Sequence, residues 1–323
     1  MEDFVNNTQF GKAKKLIDFA QNIIVISHRS PDADAVGANI ALATALKKIG
    51  KNVFSACTDA LPSNLKFLKG TETFAQKFNS LDFDLLITVD CGSLRQIEFE
   101  PEIARFRKTG KTFINFDHHA SNDFFGDINI VETKCAATCE LLYYFFNFCD
   151  FEIDFKQATA LLAGIYYDTG RFMHSNTTEN NLNIAAELLE KGADFSSIIK
   201  NLYKTKSFEQ LKLWGLIFNR ARINDKNIVI SAVTKDDLFE CGASNEHING
   251  AIDYLNTVAE TKFCLLLTED DSQIKASVRT QREDLDLSKL SSIFGGGGHK
   301  KASGFSISGK IQKDIEVKWR IGV

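Results

Sequence analysis

One histidine and two aspartates lie within seven residues of one another where an apolar segment ends. The stretch HRSPDADAVG follows IIVIS and contains His28, Asp32 and Asp34. Pro31 fixes its own φ and restricts the residue before it, so these side chains sit on a stiff loop. Such a set suits metal ligation. A simpler interpretation is that Asp34 caps the following helix, which leaves His28 and Asp32 unexplained.

Residues of the same two types follow three other predicted elements. Asp90 ends LLITVD, the tripeptide DHH (residues 117–119) ends TFINFDHH, and Asp168 follows the helical segment FKQATALLAGIYY. Taken singly, Asp90 and Asp168 could each be ordinary turn residues. If all of these side chains converge, the carboxylates cannot all stay ionised without compensating cations, and two divalent ions would balance four aspartates.

The donor types indicate which ions and which chemistry. Carboxylate and imidazole ligation without thiolate favours Mn²⁺, with Mg²⁺, Co²⁺ or Zn²⁺ as alternatives. Two metals about 3.5–4 Å apart, bridged by a carboxylate and a water, are suited to in-line attack on phosphorus.

Composition limits the class of protein. The chain has 323 residues, 44% of them hydrophobic, and a net charge of −4. That charge argues against a protein that coats long nucleic acid, although a local basic pocket is compatible with it. We expect no membrane span and no signal peptide. The seven cysteines show no zinc spacing, so we expect reduced thiols in a cytoplasmic protein.

The elements that must position these residues follow an α/β pattern. Apolar segments such as IIVIS, NVFSA and LLITV alternate with helical patterns, which predicts a doubly wound, mainly parallel sheet. Ligands bind beyond the carboxyl ends of such strands, where the acidic and histidine residues fall. We predict a catalytic domain over residues 1–195, a helical linker over 196–222 and a smaller α/β substrate-binding domain over 223–323. The active site is expected in the cleft between the domains.

The C-terminal part contains a second candidate site. The run Gly295–Gly298 could expose backbone N–H groups to phosphate oxygens, and His299, Lys300 and Lys301 follow it. Arg279 is a fork-shaped donor able to grip a phosphate. The alternative interpretation is a flexible glycine hinge with solvated lysines.

In this order, HxxPDxDAxG, VDCG, DHH and DTGRF resemble the motifs of the DHH phosphoesterases, and GGGGHKKASG resembles the signature of their DHH-associated C-terminal domain. The resemblance spans nearly the whole chain. It is strongest to the branch of bifunctional oligoribonucleases and pAp phosphatases.

The resemblance implies a role for each matching residue. One metal ion would be held by His28, Asp32 and Asp90, and the other by Asp34, Asp90, His118 and Asp168. Asp90 would bridge the ions, His119 would face the scissile phosphate, and Asp117 would orient an imidazole. The assignment of the two DHH histidines is open. The implied substrate contacts are Asn122, Arg171, Arg279, Gly296, Gly297, Gly298, His299 and Ser303.

The implied activity is hydrolysis of short oligonucleotides, including dinucleotides such as pApA, and of pAp, to mononucleotides. The expected partners are short RNA or DNA and nucleoside bisphosphates, without long duplex or membrane. A homodimer is left open. An alternative is a cyclic di-AMP phosphodiesterase of the same family. Another is a catalytically silent nucleotide-binding regulator, which should have lost metal ligands, whereas every expected ligand position is filled here.

Overall fold

The computed structural model describes residues 7–203, 206–270 and 272–312. The chain divides into two compact units, Met1–Thr205 (unit 1) and Lys206–Val323 (unit 2). Among the described residues, no helix is long and apolar enough to cross a membrane.

Unit 1 is built on a six-stranded sheet whose strand order is β3-β2-β1-β4-β5-β6. Every pairing in it is parallel, as the sequence predicts for this domain. Because the chain moves outward in one direction from β1 and in the other from β4, the switch point of the sheet lies between these two strands. The strands are β1 (Asn22–Ser27), β2 (Asn52–Ala56), β3 (Phe74–Ala75), β4 (Leu85–Val89), β5 (Phe113–Asp117) and β6 (Ile128–Val131).

Helices cover both faces of this sheet. Along β1, Ile23 and Val25 belong to one buried apolar cluster, whereas Ile24 and Ile26 belong to another. Successive side chains of a strand point to opposite faces, so the continuous apolar run reflects burial on both sides. The helices of unit 1 are α1 (Asn7–Phe19), α2 (Ala33–Lys48), α3 (Glu100–Arg107), α4 (Thr138–Phe148), α5 (Phe155–Asp168), α6 (Glu179–Glu190) and α7 (Phe195–Leu202).

The start of α2 corrects one interpretation from the sequence. The N-cap is Asp32, whose carboxylate accepts hydrogen bonds from the backbone N–H groups of Asp34 and Ala35. Asp34 lies inside the first turn and is fully buried. Capping therefore explains Asp32, and the burial of the Asp34 carboxylate needs another reason.

Close helix packing in unit 1 depends on two glycines. A Cβ at Gly37 of α2 would lie 2.4 Å from the Ala160 carbonyl oxygen of α5, and one at Gly164 of α5 would lie 2.6 Å from Asp34 Oδ1. Any side chain at either position would push the two helices apart. The contact between α2 and α5 thus holds Asp34 in place.

Unit 2 contains a mixed six-stranded sheet of order β11-β12-β10-β9-β8-β7, in which β8 and β9 are parallel and the other pairs antiparallel. This agrees with the predicted smaller α/β domain. Its strands are β7 (Arg222–Ile223), β8 (Ile228–Val233), β9 (Phe263–Asp270), β10 (Gln273–Arg279), β11 (Gly297–Gly298) and β12 (Ala302–Ser308). Its helices are α8 (Phe208–Arg220), α9 (Lys235–Cys241), α10 (Ala251–Leu255) and α11 (Leu287–Ile293).

The described part of the segment predicted as a helical linker, residues 196–222, contains most of α7 and all of α8, and these two helices pack in different units. Helix α7 buries Ile198 in the main apolar cluster of unit 1. Helix α8 buries Leu213 and Ile217 in the core of unit 2, where Arg220 forms a two-pronged ion pair with Asp237. The boundary between the units therefore falls just before α8.

Candidate metal centre

The candidate centre lies at the carboxyl ends of β1, β4 and β5, at the switch point of the sheet. His28 directly follows β1, and Asp90 directly follows β4. The backbone of Asp90 is left-handed, with φ of +61°, and its N–H donates to the Phe116 carbonyl at 2.9 Å. Left-handed backbone is uncommon outside glycine and is often found at functional sites, so the turn at Asp90 indicates a functional role for its carboxylate.

Three groups of potential metal ligands meet at these strand ends. Within each group the ligand atoms all lie within 4.8 Å of one another. The groups are His28, Asp32 and Asp90; Asp90, His118 and His119; and Asp34, His118 and Asp168. Asp90 and His118 each belong to two groups. All six residues predicted as metal ligands are thus brought together, although they come from four separate segments of the sequence.

The two carboxylate oxygens of Asp90 face different neighbours. Oδ2 lies 3.4 Å from His28 Nε2. Oδ1 lies 3.6 Å from His118 Nε2 and 3.6 Å from His119 Nδ1. A carboxylate whose oxygens face opposite groups is the arrangement expected of a ligand that bridges two ions.

His118 has a ring nitrogen that fits a metal ion. Its Nδ1 lies 3.3 Å from the Cys135 carbonyl and can donate to it, so that in the neutral ring the lone pair would lie on Nε2. Nε2 is buried, lies 3.2 Å from Asp168 Oδ2 and 4.0 Å from Asp34 Oδ2, and has no hydrogen-bond partner among the described residues. In the neutral ring this nitrogen would be an acceptor directed at two carboxylates, an arrangement that suits a cation bound between them.

The electrostatics of the site also call for positive charge. Burial, together with the nearby charges of Asp90 and Asp168, raises the pKa of Asp32 to about 7. Burial raises the pKa of Asp34 and of Asp168 as well. These carboxyls would bind protons in the absence of metal, because a cluster of buried carboxylates cannot stay fully ionised.

The pKa of Asp90 moves in the opposite direction. Burial would raise it, but the hydrogen bond to His28 and the charges of His118 and His28 hold it well below its usual range. In the same way, burial would lower the pKa of His28, yet the contact with Asp90 and the charge of Asp32 raise it to about 9. Asp90 is therefore the carboxylate that stays ionised at the centre of the site.

Asp117 and Asn122 hold His119 in place. Asp117 is buried, and its Oδ1 lies 2.8 Å from His119 Nδ1. Its Oδ2 accepts a hydrogen bond from Asn122 Nδ2 at 2.5 Å. Asn122 Oδ1 in turn accepts from the Phe124 N–H. Asp117 thus orients an imidazole, as the resemblance implies, whereas the buried Asn122 amide is committed to holding Asp117 and does not offer itself to a substrate.

Arg171 lies in the loop after α5 with a left-handed backbone, φ +71°. Its guanidinium stacks on the Tyr203 ring, 4.2 Å from the ring centroid, and Nε is buried without a hydrogen-bond partner among the described residues. The stacking fixes the direction of the side chain and leaves its terminal nitrogens as candidate anion donors.

In unit 2 the glycine run is folded into a hairpin and is not an open cradle. Gly297 and Gly298 form β11 and pair with Gly304 and Ser303 of β12. A Cβ at Gly296 would lie 2.1 Å from the Gly304 carbonyl oxygen, so glycine is required there by backbone packing. Gly297 is exposed with open space around its Cα. Of the predicted glycine contacts, Gly297 is the one best placed to approach a ligand.

The remaining residues predicted in unit 2 differ in availability. The Ser303 hydroxyl is buried and bonded to Ser291 Oγ and the Leu287 carbonyl, which corrects its assignment as a substrate contact through the side chain. Arg279 Nε lies 3.3 Å from Asp253 Oδ1. His299 begins the tight turn into β12, with its N–H donating to Ala302 O at 2.7 Å. Arg279 and His299 remain candidates.

The fold and the site together define a doubly wound α/β domain with a candidate aspartate–histidine metal centre at the switch point of a parallel sheet. Comparison with known families agrees with this class. The model of the DHH family, N-terminal domain, matches residues 22–165, and the model of the DHHA1 domain matches residues 225–317. The chain belongs to the DHH family and carries a DHHA1 domain, which confirms the prediction. Members of this family depend on divalent metal ions.

Whole-chain relatives share both domains. The chain is 28% identical over 312 residues to the bifunctional oligoribonuclease and PAP phosphatase NrnA of Bacillus subtilis, covering 94% of this chain and 96% of that protein. It is 26% identical over 289 residues to the NrnA of Thermus thermophilus, covering 89% and 84%. A crystal structure of an exopolyphosphatase-related protein from Bacteroides fragilis is 25% identical, with a TM-score of 0.88, and covers 96% of this chain and 94% of that one.

Sequence reasoning missed one residue of the site. Thr138 is fully buried and its hydroxyl donates to Asp90 Oδ1 at 3.0 Å. It opens a helix whose sequence is mainly apolar, and no feature of composition or spacing marks it.

Proposed function

We propose that this protein is a phosphoester hydrolase, dependent on two divalent metal ions, that cleaves short oligonucleotides and pAp to mononucleotides. The observation that carries the proposal is the convergence of three ligand groups that share Asp90 and His118. The substrate class is supported by similarity to the two NrnA proteins along most of the chain.

The metal ligands are assigned by group. One ion would be held by His28, Asp32 and Asp90, and the other by Asp34, Asp90, His118 and Asp168. Mn²⁺ suits this set because it combines imidazole and carboxylate ligands without thiolate. When bound, two such ions supply Lewis-acid stabilisation of phosphoryl oxygens and a nucleophile at neutral pH.

The chain itself contributes orientation and proton handling. Asp117 and Asn122 hold Nδ1 of His119, so that we expect Nε2 of His119 to face the scissile phosphate and to stabilise charge or protonate the leaving oxygen. Arg171, Arg279 and His299 would bind the other phosphates of the substrate. Such remote contacts help to align the reacting phosphate.

We propose that the protein works in a reducing compartment such as the cytoplasm. All seven cysteines are free thiols, and five of them are buried. Free thiols in this number are typical of proteins that are not exposed to oxidising conditions.

The function is tested by product analysis. The purified chain, loaded with Mn²⁺, is offered pAp, pApA, a five-nucleotide RNA, cyclic di-AMP and pyrophosphate. We expect mononucleotides from pAp, pApA and the short RNA. Faster cleavage of cyclic di-AMP than of pApA would favour the cyclic dinucleotide alternative. Binding of pApA without turnover by metal-loaded protein would favour a silent regulator and contradict the proposal.

Arg279 provides a test of the substrate contacts. A lost charge-assisted phosphate contact is worth about 1.5–3 kcal/mol, so Arg279→Ala should lower kcat/KM for pAp and pApA by about tenfold to a hundredfold. Bis-p-nitrophenyl phosphate lacks the second anchor and should be cleaved at nearly the normal rate. Arg282→Ala is the matched control, because Arg282 is an exposed arginine of the same unit whose ion pair is with Asp284. Equal losses on both substrates would contradict a role limited to remote binding.

A further inference from the structure

Thr138 connects two of the proposed metal ligands. It is the first residue of α4 and is fully buried. Its hydroxyl donates to Asp90 Oδ1 at 3.0 Å, and its backbone N–H donates to Asp34 Oδ2 at 2.6 Å. The next N–H, of Cys139, donates to Asp34 Oδ1 at 2.9 Å. One residue therefore contacts two carboxylates that come from α2 and from the end of β4.

The N-terminus of α4 provides hydrogen-bond donors and partial positive charge to the buried Asp34 carboxylate. The first N–H groups of a helix have no partner within the helix and carry partial positive charge. Here two of them are directed at the fully buried Asp34. This explains how a carboxylate can be buried in the first turn of α2 without a cationic side chain bonded to it, and it fixes the position of Asp34 relative to α4.

The hydroxyl acts on Asp90 in a different way. It contacts Oδ1, the oxygen that faces His118 and His119, and not Oδ2, which faces His28. A hydrogen bond to one oxygen sets the rotation of the carboxylate plane about the Cβ–Cγ bond. That rotation decides whether the two oxygens can serve two separate groups at once.

We propose that Thr138 is a positioning residue that sets the orientation of the Asp90 carboxylate and thereby the divalent-metal affinity of the centre. The inference rests on the proposed metal centre and extends it to a residue outside the ligand set. Partners that hydrogen-bond to metal ligands typically change metal affinity by about 10- to 100-fold when they are removed.

Thr138→Val isolates the hydroxyl. Valine has nearly the same shape, and the variant retains the backbone N–H groups that bind Asp34. Isothermal titration of the metal-free protein with Mn²⁺ should show at least one ion bound about 10- to 100-fold more weakly than in wild type. Thr138→Ser restores the hydroxyl and should bind within about threefold of wild type. Thr138→Ala gives a second test of the lost hydroxyl if the valine variant does not fold.

Thr159→Val is the matched control within the same unit. The Thr159 hydroxyl is buried on α5 and bonds to the backbone at Phe155 O and Asp194 N, away from every proposed ligand. We expect it to lower the melting temperature without changing Mn²⁺ affinity.

Three outcomes overturn the inference, and they can be told apart. Equal Mn²⁺ affinity in Thr138→Val and wild type refutes the role of Thr138 alone. An equal loss of affinity in Thr159→Val assigns the effect to general destabilisation. A wild-type chain that binds no Mn²⁺ refutes the proposed metal centre and the role of Thr138 with it.

Discussion

Gly164 lies on α5 at the point where this helix meets α2 and α4. Its replacement by alanine should disturb the candidate metal centre by displacing the Asp34 carboxylate. A Cβ at this position would lie 2.4 Å from Cys139 Sγ and 2.6 Å from Asp34 Oδ1. Ordinary van der Waals contacts of a Cβ are 3.4–4 Å, so both atoms would have to move by about 1 Å. Both belong to the packing that holds the Asp34 carboxylate against the start of α4.

The expected change in the free energy of unfolding combines one stabilising effect with two destabilising effects. Alanine is favoured over glycine in a helix interior by about 1 kcal/mol. Overpacking of a buried position costs about 1–3 kcal/mol. Weakening the hydrogen bonds from α4 to the buried Asp34 carboxylate adds about 1–3 kcal/mol. We therefore expect Gly164→Ala to reduce the free energy of unfolding by about 1–5 kcal/mol.

The assay is urea unfolding of the metal-free chain followed by far-UV circular dichroism. Gly11→Ala is the matched control, because Gly11 lies inside α1 of the same unit and a Cβ there would meet no atom within 4 Å. The control should leave stability unchanged or raise it by up to about 1 kcal/mol. Mn²⁺ binding should weaken in Gly164→Ala and not in Gly11→Ala. If Gly164→Ala proves as stable as the control and binds Mn²⁺ normally, the account of how Asp34 is held is wrong.

Two further predictions concern the histidines and the pH dependence of the centre. His118→Ala should lose Mn²⁺ affinity in titration calorimetry, whereas His119→Ala should retain both ions and lose kcat; the reverse result would exchange the two roles. In metal-free protein, the pKa of Asp32 is raised from 3.8 to about 7 by burial and by the charges of Asp90 and Asp168, and the contact with Asp90 raises the pKa of His28 from 6.5 to about 9 against the effect of burial. The folded state then holds protons that the unfolded state releases, so stability is lost as pH rises, from about 4 to 7 for Asp32 and from about 6.5 to 9 for His28. The melting temperature of chelated protein should therefore fall as the pH rises from 5 to 9. At high pH, Mn²⁺ at a hundredfold excess over Kd should restore it by adding about 2.7 kcal/mol to the free energy of unfolding. A melting temperature that rises with pH under chelation would contradict this reasoning.

The ends of the strands could be predicted from the sequence because they depend only on residues that are neighbours in the chain. A continuous apolar run such as LLITV is buried on both faces of a parallel sheet, and a polar residue directly after it must lie at the carboxyl edge. Since all strands of such a sheet point the same way, His28, Asp90 and Asp117 had to meet at one edge. The motifs then indicated the family, and the family models confirm it.

Contacts through space could not be predicted in this way. The glycine run GGGGH suggested an open phosphate cradle, but Gly296 is required because a carbonyl of β12 passes 2.1 Å from where its Cβ would be. Ser303 and Asn122 carry polar groups that suit a substrate, yet both are buried and bonded to their own chain. Residue type shows what a side chain can bind, and only the packing around it shows what it does bind.

The sequence by itself thus determined the class of the chain: a parallel sheet, the edge at which its chemistry lies, and the aspartates and histidines of the candidate centre. Only the tertiary structure decided that Asp32 and not Asp34 caps α2, and that α8 belongs to the core of unit 2. It also decided that Thr138 holds two carboxylates at once. The physical reason is that hydrophobic periodicity is a property of neighbouring residues, whereas the partner of a buried polar group is brought to it from a distant part of the chain.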